Sequence, residues 1–256
     1  MISRYEVTLN GASMAEIHEN LLILDVQHSE PAPQFSTYTV ANRDGSRITS
    51  RRKNECYCTV SFELHIYSIA ERQEALQDVI TWARAGGILK TNDRPDQHLV
   101  CVCDGLPAIT SVRNWTDPLT VKFAAAAWPY WEEDEPTTLT LSGTTGSGTM
   151  EIPGNGADAF VECTVVPAAA MTSATITAGS TTISLAGISV AAGDELKITY
   201  TADKIIQITN DGTSVLNKRT PASSDDLKLP SGTTGTVSFE TDASASVTFT
   251  AKGCWE

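Results

Sequence analysis

The sequence predicts a mainly β protein in two parts. Residues 1–135 read as an α+β domain whose sheet is barrel-like or strongly curved around one helix, and residues 136–256 as a β-sandwich or jelly roll. Three observations carry this. A single amphipathic helix with clear start and stop signals stands among short strands in the first half. The composition changes at Pro136, after which Thr, Ser, Gly and Ala dominate and helical periodicity vanishes. Short strands separated by turn residues then recur to the end of the chain.

In the first half, Arg4 to Leu9, Leu21 to Val26 and Phe35 to Val40 read as strands, and Asp44-Gly45 as a hairpin turn. Residues 55–66 alternate: Cys56, Cys58, Val60, Phe62, Leu64 and Ile66 share one face and Glu55, Tyr57, Thr59, Ser61, Glu63 and His65 the other, as in a half-buried strand. Ser68 supplies an N-cap and Glu71 completes a capping box, so a helix is expected over 69–85. Its stripe of Leu76, Val79, Ile80 and Ala83 packs on a sheet, and Gly86-Gly87 ends it. A turn at Asn92 to Asp96, a strand Leu99 to Cys103, a turn at Asp104-Gly105, and strands Ala108 to Arg113 and Leu119 to Phe123 follow.

In the second half the expected strands are Thr138–Leu141, Phe160–Val166, Ser173–Thr177, Thr181–Leu185, Glu195–Tyr200, Ile205–Thr209, Thr236–Phe239 and Ser246–Ala251. Asn210-Asp211-Gly212 is a hairpin turn, because its left-handed dihedrals suit those residues. The Gly/Ser/Thr-rich stretch Ser142 to Thr149 is read as a long loop in or just before the sandwich.

The chain has 256 residues, is 41% hydrophobic and carries 31 acids against 18 bases, a net charge of -13, with both halves acidic. That field repels phosphate backbones, so specific nucleic-acid binding is not expected. The start lacks the apolar core of a secretory signal and no run is long enough to span a bilayer, so a soluble, cytosolically made protein with no membrane partner is expected.

Two Cys-x-Cys pairs, Cys56/Cys58 and Cys101/Cys103, invite a zinc site, but each lies on one strand face rather than on a turn. Buried core thiols are favoured over an inter-strand disulfide and over a metal, and the same holds for Cys163 and Cys254. His18, His28, His65 and His98 share no ligand spacing and read as surface or loop residues. No Gly-x-Ser-x-Gly elbow occurs, and the glycine-rich stretches lead into no helix that could cradle phosphate. Glu132 to Glu135 lacks the spacing of a calcium loop and reads as a solvated charge run. Trp128, Tyr130 and Trp131 form a candidate domain junction, weighed against stacking on a sugar or a partner. In the second half Phe160, Tyr200, Phe239 and Phe249 fall inside strands, so core is their expected place. Arg43, Arg47, Arg51, Arg52 and Lys53 cluster around the Asp44-Gly45 hairpin, and Arg47, Arg51, Arg52 and Lys53 are a candidate subunit interface in so acidic a chain.

One resemblance covers nearly the whole chain, as an order of elements rather than a diagnostic motif. The helix Arg72 to Trp82, the strand and polar turn Ile88 to Pro95, the end Val121 to Trp131, and then Ile152 to Gly156, Gly193 to Ile198, Ser224 to Gly232 and Gly253-Cys254-Trp255 are similar to the distal tail proteins, or baseplate hub family, of long, non-contractile-tailed bacteriophages. The resemblance implies a split-β-barrel-like first domain, a galectin-like second one, and a structural virion protein with no catalysis and no cofactor. It further implies a homo-hexameric ring, assembled in the host cytoplasm, that joins the tail tube protein to the tail-tip or tail-associated protein. Receptor-binding proteins are implied as further neighbours, and DNA passes through the ring. The alternatives are a carbohydrate-binding accessory module using the sandwich, and a glycan hydrolase, for which spacing places no paired carboxylates.

Overall fold

The computed structural model describes residues 4–39, 46–107 and 118–256, the side chain of Arg51 excepted. Arg43, the Asp44-Gly45 turn, Val40 and the expected strand from Ala108 to Arg113 lie outside the described residues. The chain divides into two compact units, Met1–Trp131 with Glu256, and Glu132–Trp255.

In chain order the first unit contains β1 (Val7–Leu9), β2 (Ala12–Ser13), β3 (Leu21–Ser29), β4 (Pro33–Thr39), β5 (Ser46–Lys53), β6 (Tyr57–Leu64), α1 (Ile69–Arg84), β7 (Gly87–Thr91), β8 (Arg94–Gly105) and β9 (Leu119–Ala125). Seven of these strands pair antiparallel in the order β2-β1-β7-β8-β9-β6-β3, a curled half-barrel whose end strands do not pair with each other. β4 and β5 form a separate two-stranded sheet. β6 alternates as its sequence requires, with Cys58, Val60, Phe62 and Leu64 buried. α1 lays Ala75, Leu76, Val79, Ile80 and Ala83 against the sheet.

Both helix ends follow from local chemistry. The Ser68 hydroxyl accepts from the Glu71 N–H at 3.4 Å. At the other end Gly86 adopts φ +59, and Gly87 (φ +115) leaves so little room that a Cβ there would fall 2.2 Å from Asn10 Oδ1. Asn10 Nδ2 donates to Gly86 O at 2.7 Å and its Oδ1 accepts from Ile88 N–H at 2.9 Å. The β1–β2 turn thereby clamps the exit of the helix.

Two expected turns differ from the structure. Asp104-Gly105 remains inside β8, since Gly105 pairs with Lys122 across a bulge. The turn at Asn92 is only two residues long, because strand pairing resumes at Arg94 opposite Thr91. Both segments carry turn-type residues, and the sheet's hydrogen-bond ladder outweighs that local preference.

The second unit holds the remainder of β10 (Trp131–Glu133), then β11 (Thr137–Ile152), β12 (Ala159–Pro167), β13 (Met171–Ala178), β14 (Thr181–Val190), β15 (Leu196–Tyr200), β16 (Ile206–Asn210), β17 (Thr213–Ser214), β18 (Lys228–Leu229), β19 (Thr233–Ala251) and β20 (Cys254–Trp255). β19 is the spine. Its first part pairs with β13 through Val237–Thr241 and its last part with β12 through Ala245–Ala251, while β11 follows it along both parts. Two sheets thus share β19 and β11 and enclose one core, in which Ile176, Ile183 and Leu185 meet Val161, Val165, Leu196, Ile198 and Phe249. The result is a β-sandwich.

Two strands expected as separate, Thr236–Phe239 and Ser246–Ala251, are therefore one. The segment between them looks like a loop by composition, but every second residue from Gly235 to Ala251 is buried without a break. The bend is stapled by Asp242, whose carboxylate accepts from Thr172 N–H at 3.0 and 3.1 Å and from Ser173 N–H at 3.3 Å. These bonds, led by the one from the Thr172 side chain, hold its pKa below the usual carboxylate value.

The expected loop from Ser142 to Thr149 is also a strand, lying wholly within β11. Its glycines are strand glycines, set where another side chain comes close, from the partner β19 at Gly146 and from β11 itself at Gly148. A Cβ on Gly146 would meet Phe239 Cε1 at 2.5 Å, one on Gly148 would meet Leu139 Cδ2 at 2.8 Å, and Gly143 (φ +136) opens the bulge between Gly143 and Thr145. The Asn210-Asp211-Gly212 turn forms as its residues require, with φ of 43 at Asp211 and 77 at Gly212.

Gly146→Ala should destabilise the protein by roughly 1–3 kcal/mol through overpacking against the buried Phe239, read by urea denaturation. Asp242→Ala should lower the melting temperature at neutral pH. Because the folded pKa is depressed, the wild-type advantage is full above the ordinary carboxylate pKa of about 4 and disappears as pH falls through the folded value, so the two melting temperatures should converge in acid.

Candidate functional site

The first candidate surface is the β4–β5 arm. All described side chains of both strands are exposed, and three of them are large and apolar: Phe35, Tyr38 and Ile48. Phe35 and Thr37 alternate onto one face, where the register brings Ile48 opposite Thr37, while Tyr38 faces Arg47. Of the predicted basic cluster, Arg47 and Arg52 are exposed on β5, and Arg51 pairs with Phe35 in the register. Lys53 differs: it forms an ion pair with Glu256 and lies 5.3 Å from the centre of the Tyr130 ring. Its charge is satisfied within the unit.

The aromatic end is packed rather than displayed. Trp131 is 1% exposed and Tyr130 6%, whereas Trp128 is half-buried with its ring centre 5.2 Å from that of Tyr130. The Trp131 ring takes the edge of His28 at 4.9 Å and the Arg94 guanidinium at 5.2 Å. His28 Nε2 lies 2.8 Å from Asp93 Oδ2, and burial outweighs that carboxylate to lower the histidine pKa. His18 and His65 lie in loops, half-buried, whereas His28 is half-buried in β3 and His98 is buried in β8, so these two are strand rather than loop residues. His98 lies on the opposite face of the strand from the buried Leu99 and Cys101, and is covered there.

The thiols are free, and Cys56, Cys58, Cys101, Cys163 and Cys254 are buried. Burial pushes Cys56 up to about 11 and Cys101 up to about 12, so both are protonated thiols at neutral pH.

The second unit carries a cavity of about 220 Å³ on the outer face of one sheet. Parity creates it. On β12 the odd residues Ala159, Val161, Cys163 and Val165 face the core, which turns Phe160 and Glu162 outward. Glu162 pairs across the ladder with Thr250 of β19, and Tyr200 at the end of β15 sets its ring 4.8 Å from that of Phe160. Core was the expected place for all four strand aromatics. Phe239 and Phe249 are there, but Phe160 and Tyr200 are half-buried cavity walls. The acidic run is likewise not simply solvated, since Glu132 pairs with Lys204 at the cavity and Glu133 accepts from Trp255 Nε1 at 2.6 Å.

No family model matches the sequence, and no curated protein matches it either. Among solved structures, the Dit protein of phage SPP1, described as a paradigm of the hub adsorption apparatus in phages infecting Gram-positive bacteria, superposes with a TM-score of 0.70 at 12% identity, over 97% of this chain and 98% of that one. The chain has the fold of SPP1 Dit. Chains of the phage P2 baseplate in its activated conformation, one with Ca and one with Sr, align at 10% identity over 97% of both chains, with TM-scores of 0.45 that bear no weight.

The Dit fold is the one that the order of sequence elements implies, and it runs through both units. Within it, the helix and the arm's basic residues are visible from sequence, whereas Phe160, Glu162, Tyr200 and Lys204 as one site are not. The only available signal was strand parity, which puts Phe160 on the opposite face from Val161.

Tyr200 also closes the cavity wall structurally. Its hydroxyl accepts from the N–H of the fully buried Leu227 at 2.7 Å, and burial raises the phenol's pKa. Tyr200→Phe should leave that N–H unpaired and cost roughly 1–3 kcal/mol in chemical denaturation.

Proposed function

We propose that this chain is a structural hub protein of a phage tail, which forms a homo-hexameric ring joining the tail tube to the tip or host-adhesion apparatus. The observation that carries the reading is the Dit fold extending over both units, end to end. In this proposal the first unit forms the ring and the galectin-like sandwich of the second is presented to neighbouring tail proteins. Trp128, Tyr130 and Trp131, at the end of the first unit, act as the seal of the domain junction. The excess of acids suits a bore through which DNA slides without sticking. The protein acts by assembly, not by catalysis.

The arm supports the ring. A two-stranded sheet is marginal by itself, and exposed apolar side chains on both of its faces need cover. Phe35 and Ile48 supply the apolar contact and Arg47, Arg51 and Arg52 the charge that meets an acidic neighbour. Lys53, already paired, contributes to the arm's root instead.

Size-exclusion chromatography with light scattering and native mass spectrometry should show a closed ring for the wild type and a shift toward monomer for the double charge reversal of Arg51 and Arg52. A wild-type monomer at every concentration would sink the hub reading. A ring indifferent to the charge reversal would remove these arginines from the interface.

A further inference from the structure

We infer that the cavity on the sandwich's outer sheet is a binding site for a single neutral pyranose ring. The inference does not depend on the hub reading. Its first support is the chemistry of the walls. Glu132 and Glu162 offer acceptors, Lys204 and Lys252 offer donors, and the charges of the four cancel. A net-neutral set of strong acceptors and strong donors suits hydroxyl groups, each of which both donates and accepts. It gives no preference to an anion or a cation. The edge-tilted pair Phe160 and Tyr200 adds the apolar wall against which the C–H face of a sugar ring packs.

The second support is that capacity is left over. Among the described residues Glu162 is engaged only through one oxygen, which accepts a long 3.4 Å bond from Tyr200 N–H. Lys252 makes no side-chain bond or ion pair among the described residues. Lys204 is held in a left-handed conformation (φ 56) that a lysine rarely adopts, in a turn closed by Lys204 N–H to Thr201 O at 2.9 Å, and from there its ammonium reaches Glu132. The third support is size: about 220 Å³ is below the roughly 300–1,000 Å³ of sites for drug-sized ligands, so one ring fits and a chain of rings would extend outside.

The test uses the full chain and saturation-transfer difference NMR with methyl glycosides of glucose, galactose, mannose and N-acetylglucosamine, with inorganic phosphate and free lysine as charged probes. At least one glycoside should bind in the millimolar range, with the ring C–H protons receiving the strongest transfer. Glu162→Gln and Lys252→Met, whose side chains lie outside the core, should each weaken binding about tenfold while the melting temperature stays unchanged. No transfer to any glycoside at about 10 mM, preference for phosphate or lysine, or undiminished binding by the Glu162→Gln, Lys252→Met double variant would each overturn the site. The ring assay is separate, so loss of one conclusion leaves the other standing.

Discussion

The second unit depends on the unbroken two-residue period of β19. Nineteen residues stay in one strand from Thr233 to Ala251, and each odd position from Gly235 onward faces the core on both sides of the bend. A slip of one residue would turn Val237, Phe239, Val247 and Phe249 outward together, so register is strongly specified. Small side chains at Ala243 and Ala245 let the corner close, and the buried Thr241 hydroxyl donates to Ala243 O at 2.8 Å, so the corner hides no unpaired hydroxyl. The other strands take their positions from this one: β13 reads its first part, β12 its last, and β11 both.

That dependence explains the glycines of β11. A strand that follows a bent partner for sixteen residues must bulge where the partner turns and lose side chains where core residues press outward. Gly143 provides the first and Gly146 the second, over Phe239, while Gly148 makes room for Leu139 of β11 itself. The first unit solves an analogous problem with Asn10, whose side-chain amide replaces backbone partners at the helix exit and needs Gly87 beside it.

These cases mark what the sequence discloses. The helix was legible because capping, periodicity and stop signals agree, and β6 because its alternation has no exceptions. β11 and the middle of β19 were not, because Gly, Ser, Thr and Ala are the residues of loops by frequency and of tightly packed strand pairs by geometry. Only the partner strand distinguishes the two, and the partner lies about a hundred residues away in sequence for Thr140 and Thr248. The sites divide in the same way. The arm's arginines are adjacent in sequence and stand out as a charge cluster, whereas the cavity draws on β12, β15, β19 and a turn, which topology alone assembles.

The cavity and the core are built from opposite parities of the same strands, and this separates their fates. Phe160 and Glu162 alternate with Val161 and Cys163, and Thr250 with Phe249 and Ala251, so substitutions on the outward set leave the inward set and its register intact. Tyr200 is the exception, since its ring belongs to the cavity and its hydroxyl to the backbone of Leu227. A scaffold arranged in this way can change what its outer face binds without refolding, provided that Tyr200 stays. The arm is freer still: no described side chain on it is buried, so its sequence answers to whatever surface covers it rather than to the fold that carries it.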